Sequence, residues 1–137
     1  MRRSPELAPL SPDHVALEHA LRLRRTTSDD VATVVVTFLA FILGPGRSHF
    51  AQEEQLLAPQ VPADRAELGR RMLSDHEEIL RRAEGVGHEP DVGQAHELGD
   101  LLSRHVRFEE RELFPLLEAR LSPERLRGIA RRLEAGG

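Results

Sequence analysis

The chain has 137 residues, a formal net charge of −4 and no cysteine. This length suits one domain with a single apolar core. The absence of cysteine excludes disulfides, iron–sulfur clusters and thiolate catalysis. The basic residues are scattered arginines that form no basic patch, so nucleic acid is not an expected partner.

The N-terminal segment MRRSPELAPLSP contains arginines without an apolar run behind them. This pattern argues against a secretory or twin-arginine signal. The most apolar stretch, from Val31 to Leu43, has 13 residues and follows Asp29 and Asp30. It is short for a membrane span and typical of a buried helix. We therefore expect a cytoplasmic protein with no membrane partner.

Apolar residues recur about every 3.6 positions and no strand-like alternation is seen, which predicts an all-α protein with four long helices and a short fifth. The predicted first helix covers 12–25, with Ser11 as its N-cap, and the second begins near Asp29. We expect the second helix to continue through Gly44-Pro45-Gly46 as one kinked helix. Its predicted inward stripe is Val31, Val35, Phe38, Ile42, His49, Glu53 and Leu56.

The third predicted helix covers 62–84, and the glycine-rich segment 85–93 is the predicted loop after it. The fourth covers 91–120 and bends near Pro115, and Ser122-Pro123 starts the last helix. The predicted inward positions of the fourth helix are Leu98, Leu101, Leu102, His105, Glu109 and Leu116. Four helices with short connections predict an antiparallel up-down four-helix bundle at 12–121. A disordered or extended segment would precede it at 1–11, and a C-terminal helix and tail would follow at 122–137.

The motif H-x3-E-E-x2-L-x-P occurs twice, at 49–59 and at 105–115, and an Asp-His pair precedes each copy, at 13–14 and at 75–76. Residues four apart on a helix lie on one face roughly 6 Å apart, so each His-x3-Glu pair can offer a nitrogen and an oxygen to one point. The repeat therefore indicates duplicated chemistry. The candidate metal ligands are His14, His49, Glu53, His76, His105 and Glu109.

One His-x3-Glu pair on a helix is ordinarily a surface ion pair. Two copies on apolar stripes favour a metal site instead, because buried imidazoles and carboxylates without a metal would be poorly solvated. Mixed imidazole and carboxylate ligands without thiolate suit iron or manganese, whereas a closed zinc site prefers four ligands. Glu18 and Glu112 share a face with candidate ligands and have no assigned role, and the remaining histidines are expected at the surface.

The order H…H-x3-E…H…H-x3-E, with its duplicated EExxLxP tails, resembles the hemerythrin-like HHE cation-binding family over roughly residues 13–120. The resemblance implies a four-helix bundle around two iron ions, bridged by the two glutamates and an oxo or hydroxo group. It implies that His14 and His49 bind one iron and that His76 and His105 bind the other. Members of the family carry or sense dioxygen, react with peroxide or nitric oxide, or handle iron.

The oxygen carriers of this family have a fifth histidine one turn after the third-helix ligand, where this chain has Leu80. This difference favours reaction with a small oxidant over reversible carriage. We therefore expect a non-haem diiron protein that binds and reacts with peroxide, dioxygen or nitric oxide. The alternatives are a non-catalytic iron, oxygen or redox sensor, an iron-binding module, or a metal-free helical interaction protein. Manganese in place of iron, an enzymatic activity, a protein partner and a homodimer all stay open.

Overall fold

A computed structural model describes the backbone of residues 13–136 and the side chains of residues 15–133. The predicted all-α class is confirmed, since the described part of the chain is helical and contains no strand. The whole predicted N-terminal segment at 1–11, including the predicted N-cap Ser11, lies outside the described residues. The α-helices are α1 (Asp13–Arg25), α2 (Val31–Phe41), α3 (Arg47–Leu56), α4 (Ala66–His88), α5 (Val92–Phe108), α6 (Phe114–Arg120) and α7 (Pro123–Gly136).

A π-helical turn, Ile42–Gly46, joins α2 to α3 and contains Pro45. The helix is thus continuous through the Gly-Pro-Gly interruption, as predicted, but a π turn adds a residue to the helix and rotates the turns after it. After this turn the buried face widens to include Phe50, which is 7% exposed. His49, predicted on the inward stripe, is only half-buried. The predicted inward stripe therefore continues past the interruption through Glu53 and Leu56, which are both buried, with His49 partly exposed.

A second π turn, Glu109–Leu113, joins α5 to α6 just before Pro115. After this turn the inward face is shifted by one position, because Leu117 is fully buried and the predicted Leu116 is half-buried. Glu112, expected on the face of His105, is exposed. The bend predicted near Pro115 is therefore a π turn, after which different residues of the helix face the core.

The predicted loop at 85–93 is shorter than expected, because α4 continues to His88 and α5 begins at Val92. Gly87 lies inside α4 next to Leu39 of α2, and a Cβ atom at this position would lie 2.8 Å from Leu39 Cδ1. The glycine therefore allows two helices to approach closely. At the start of α5, the Asp91 side chain accepts a hydrogen bond from the Gln94 amide at 2.8 Å.

Helix α1 packs closely against α5. A Cβ atom at Gly99 would lie 2.7 Å from the Ala20 carbonyl oxygen. At the end of α1, His96 Nε2 lies 2.9 Å from the Thr26 carbonyl oxygen, to which it donates a hydrogen bond. Arg24 forms an ion pair with Asp100 at 2.9 Å. These contacts attach the second half of α1 to α5.

The core consists of two apolar clusters. The first includes Phe38, Phe50 and Leu102, and the second includes Phe108 and residues of α7. Helix α7 begins as predicted, since Ser122 Oγ accepts a hydrogen bond from the Arg125 amide at 3.1 Å. Its apolar edge packs into the second cluster through Leu126, Ile129 and Leu133.

The segment Val31–Gln60 is long and apolar enough to cross a membrane by length and composition alone, a test that the core helices of soluble proteins also pass. The continuity through Pro45 makes this segment longer than the 13-residue stretch seen in the sequence. Its buried face, which includes Val35, Phe38 and Ile42, packs in the first apolar cluster.

Candidate metal centre

Four acidic and imidazole side chains meet between the two apolar clusters. They are Glu53 on α3, His76 on α4, His105 on α5 and Glu109 at the start of the second π turn. One ligand atom from each lies within 4.8 Å of those of the others. None of the four is more than 5% exposed. Three helices and a π turn therefore bring two nitrogens and two oxygens to one buried point.

The inner atoms of this cluster lack hydrogen-bond partners among the described residues. They are both Oε atoms of Glu53, Nε2 of His76, Nε2 of His105 and Oε2 of Glu109. His76 Nε2 lies 3.1 Å from Glu53 Oε1, and His105 Nε2 lies 3.5 Å from Glu109 Oε2. Buried polar atoms are rarely left without partners in proteins. An unsatisfied group of nitrogen and oxygen donors that face one another suits a metal cation.

His49 lies at the edge of the cluster. Its Nε2 is 3.4 Å from Glu53 Oε2, and its side chain is 21% exposed. Five of the six sequence-predicted ligands are thus close together, with His49 the most exposed. The side chain of His14, the sixth, lies outside the described residues, although its backbone belongs to the first turn of α1.

Two carboxylates that sequence reasoning did not assign support the inner histidines from outside. His76 Nδ1 lies 2.8 Å from Glu54 Oε2, and His105 Nδ1 lies 2.9 Å from Asp75 Oδ2. A signal for them was present in the repeat, because Glu54 is the second acid of the first Glu-Glu pair and Asp75 belongs to the second Asp-His pair. The pairing itself joins different helices, which local spacing does not reveal.

Aromatic rings cover the histidines. Phe50 stacks on His76, with ring centroids 3.9 Å apart and an angle of 9° between the ring planes. It also meets His105 edge to face at 5.8 Å. The Phe108 ring lies 6.3 Å from the His105 ring, at an angle of 39° to it. These rings keep bulk water away from the imidazoles and strengthen the electrostatic interactions among the four ligands.

The pKa values of three side chains in the cluster differ strongly from their usual values. Burial, together with the nearby Glu109, raises the pKa of Glu53 well above its usual value. Burial and the neighbouring His105 lower the pKa of His76 to about 3. Burial also opposes protonation of His105, but Glu109 and Asp75 outweigh it and raise this pKa to about 9. Such opposed shifts in one buried group mark a functional site.

The other polar residues noted in the sequence lie outside the cluster. Glu18 is exposed. Glu112 is exposed as well and forms an ion pair with Arg71 at 3.5 Å. His88 is exposed as expected, but His19 is half-buried and stacks on Phe41 at 4.3 Å. His96 is also half-buried, through its bond to the end of α1.

The chain matches the family model of the hemerythrin HHE cation-binding domain over residues 7–117. It belongs to the hemerythrin HHE family. The resemblance seen in the sequence is thus confirmed, and no curated protein and no solved structure matches the chain. The family match and the buried group formed by Glu53, His76, His105 and Glu109 together indicate a metal-binding protein.

Proposed function

We propose that this HHE protein holds two iron ions and uses them to bind and react with a small oxidant, namely peroxide, dioxygen or nitric oxide. The observation that carries the proposal is the buried group of imidazole nitrogens and carboxylate oxygens whose inner atoms have no partner among the described residues. The proposed ligands are His14, His49, Glu53, His76, His105 and Glu109. Iron is proposed first, and manganese accepts the same ligands.

We further propose that the helices form an antiparallel up-down four-helix bundle around this site. Support comes from paired contacts that run in opposite directions along neighbouring helices. Positions 20 and 26 of α1 contact positions 99 and 96 of α5. Positions 76 and 87 of α4 contact positions 54 and 39 on the long second helix. Positions 75 and 82 of α4 contact positions 105 and 97 of α5.

The same register supports a role for His14. Because the end of α1 lies at position 96 of α5 and position 20 lies at Gly99, the first turn of α1 is directed toward the part of α5 that contains His105. His14 belongs to that turn. His49 is already next to Glu53. His14 on α1 and His49 on α3 are therefore the two proposed ligands outside the buried group of four.

Each residue has a distinct task in this proposal. Glu53 and Glu109 supply negative charge between the imidazoles, and His76 and His105 offer the Nε2 lone pair while Nδ1 holds a proton. Phe50 and Phe108 exclude water and bulky molecules from the inner atoms. When bound, the iron ions supply the electrons and open coordination positions that reaction with a small oxidant needs. Leu80, half-buried beside the first cluster, provides no fifth imidazole.

The first experiment is elemental analysis of protein purified without added metal, with visible spectra before and after anaerobic reduction. We expect about two iron ions per chain. Reduced protein should then consume added hydrogen peroxide. Glu109→Ala should lose both iron and peroxide consumption, whereas His88→Ala, which alters an exposed histidine, should keep both. Protein that takes up neither iron nor manganese would refute the proposal.

The same ligands would also serve a sensor or an iron-binding module, because the fate of a bound oxidant depends on access and electron supply. That alternative predicts bound iron, little peroxide turnover, and a metal-dependent change in melting or oligomeric state. We propose a cytoplasmic location with no nucleic-acid or membrane partner. The proposed domain limits are those expected from the sequence, with the bundle at 12–121 and the C-terminal helix and tail at 122–137.

A further inference from the structure

Each inner histidine of the metal-binding site is in contact with a carboxylate on its outer side. Glu54 lies behind His76, and Asp75 lies behind His105. An ionised carboxylate only accepts hydrogen bonds, so the histidine Nδ1 is the donor in both pairs. With its proton on Nδ1, a neutral imidazole presents its Nε2 lone pair to the centre of the cluster.

Asp75 is itself held in place by Arg71. Arg71 Nε lies 3.7 Å from Asp75 Oδ2, one helical turn along α4. The guanidinium group of Arg71 stacks over Phe108 at 4.4 Å and also reaches Glu112. The side chain of Asp75 is only 18% exposed. His105 is thus supported by a chain of contacts that extends to the surface.

The other pair crosses between the two halves of the repeat. Glu54 follows the ligand Glu53 in the first copy and contacts His76, which precedes the second copy. Glu110 occupies the equivalent position after Glu109, and Asp13 is the equivalent of Asp75. The repeat therefore predicts that Glu110 supports His14 and that Asp13 supports His49.

We propose that Asp75 and Glu54 are positioning residues for the metal ligands, holding the His105 and His76 rings with Nε2 toward the metal. This inference rests on the proposed metal-binding function. It assigns a purpose to the second acid of each Glu-Glu pair and to the acid of each Asp-His pair. Carboxylates that bind the far nitrogen of a metal-bound histidine fix the ring and increase its basicity.

The test measures the affinity for ferrous iron under anaerobic conditions, by competition with a chromophoric chelator. Asp75→Ala and Glu54→Ala should each weaken binding by roughly 10–100-fold. Asp75→Asn and Glu54→Gln keep an oxygen that accepts from Nδ1, so they should recover part of the lost affinity. Glu77→Gln is the matched control, because it removes an exposed acid next to His76 and should bind iron as the unaltered protein does.

Melting of the metal-free variants separates positioning from a merely structural role. A positioning role predicts a larger difference between the alanine variants and the control with iron than without it. The amide variants keep the test decisive if an alanine variant fails to fold. This inference would be overturned if the amide variants and the alanine variants that fold bound ferrous iron as tightly as Glu77→Gln does. That result would leave the proposed function standing. An unaltered protein that binds no ferrous iron would instead overturn the proposed function.

Discussion

Removal of the metal should destabilise the fold by an amount that the buried cluster allows us to approximate. The inner atoms without partners belong to Glu53, His76, His105 and Glu109 and number five. An unsatisfied buried polar atom costs about 1–3 kcal/mol. Even the lower value gives about 5 kcal/mol, and the close pairs at 3.1 and 3.5 Å recover part of it. We expect metal removal to lower the free energy of unfolding by about 3–5 kcal/mol.

This change is large beside the roughly 5–15 kcal/mol stability of an ordinary domain. The assay is urea unfolding of iron-loaded and chelator-treated protein at the same pH, followed by circular dichroism. The variant Glu53→Gln adds a second comparison, in which the metal-free protein is not expected to lose stability. It replaces a buried acid that faces another acid with a neutral amide of similar size, so the metal-free protein should be as stable or more stable.

The same variant should lose the stabilisation by iron, because it removes one of the two carboxylates of the cluster. A difference below about 0.5 kcal/mol between loaded and metal-free protein, when iron is known to be bound, would refute this reasoning. Destabilisation of the metal-free protein by Glu53→Gln, with the full effect of iron retained, would refute it as well. Either result would mean that the inner atoms are satisfied without a metal.

Two further changes test helix packing, a third tests a glycine inside a helix, and a fourth tests a helix cap. Gly99→Ala should destabilise by about 1–3 kcal/mol in thermal melts, because its Cβ would lie 2.7 Å from the Ala20 carbonyl oxygen. Gly85→Ala, at a helical position with open space around it, should instead stabilise by about 0.5–1 kcal/mol. Ile129→Ala, at a site 6% exposed, should cost about 2–4 kcal/mol in urea unfolding and shows whether α7 belongs to the core. Ser122→Ala should cost about 1 kcal/mol by loss of the α7 cap, and an unchanged melting temperature would contradict this.

Much of the helical structure could be predicted from the sequence because it depends on local periodicity and on capping residues. Asp91 and Ser122 begin helices where short polar side chains reach an amide three residues later. The segment at 85–88 was predicted wrongly because glycine commonly ends helices. In this chain Gly87 has another use, since it makes room for Leu39 from α2. That contact joins residues distant in sequence.

The second π turn explains the errors at Glu112 and Leu116 in the predicted inward face of the fourth helix. A helical period read from sequence assumes one constant rotation per residue. A π turn breaks this rule. After the first π turn, Glu53 and Leu56 still lie inward as predicted, and Phe50 lies inward as well. In the second copy the π turn directs Glu112 outward and Leu117 inward. In a π turn the backbone hydrogen bonds join residues five apart, and no simple sequence pattern predicts where this occurs.

By itself, the order of residues determined the helical class, the repeat and the two candidate ligand pairs His49–Glu53 and His105–Glu109, because pairs four apart follow from helix geometry alone. Tertiary structure decided how far His49 lies from the centre, where each helix changes phase, and which acid supports which imidazole. Those features arise when separate helices pack and share one buried space. Asp75 finds His105 at 2.9 Å across two helices, a contact that no local spacing encodes.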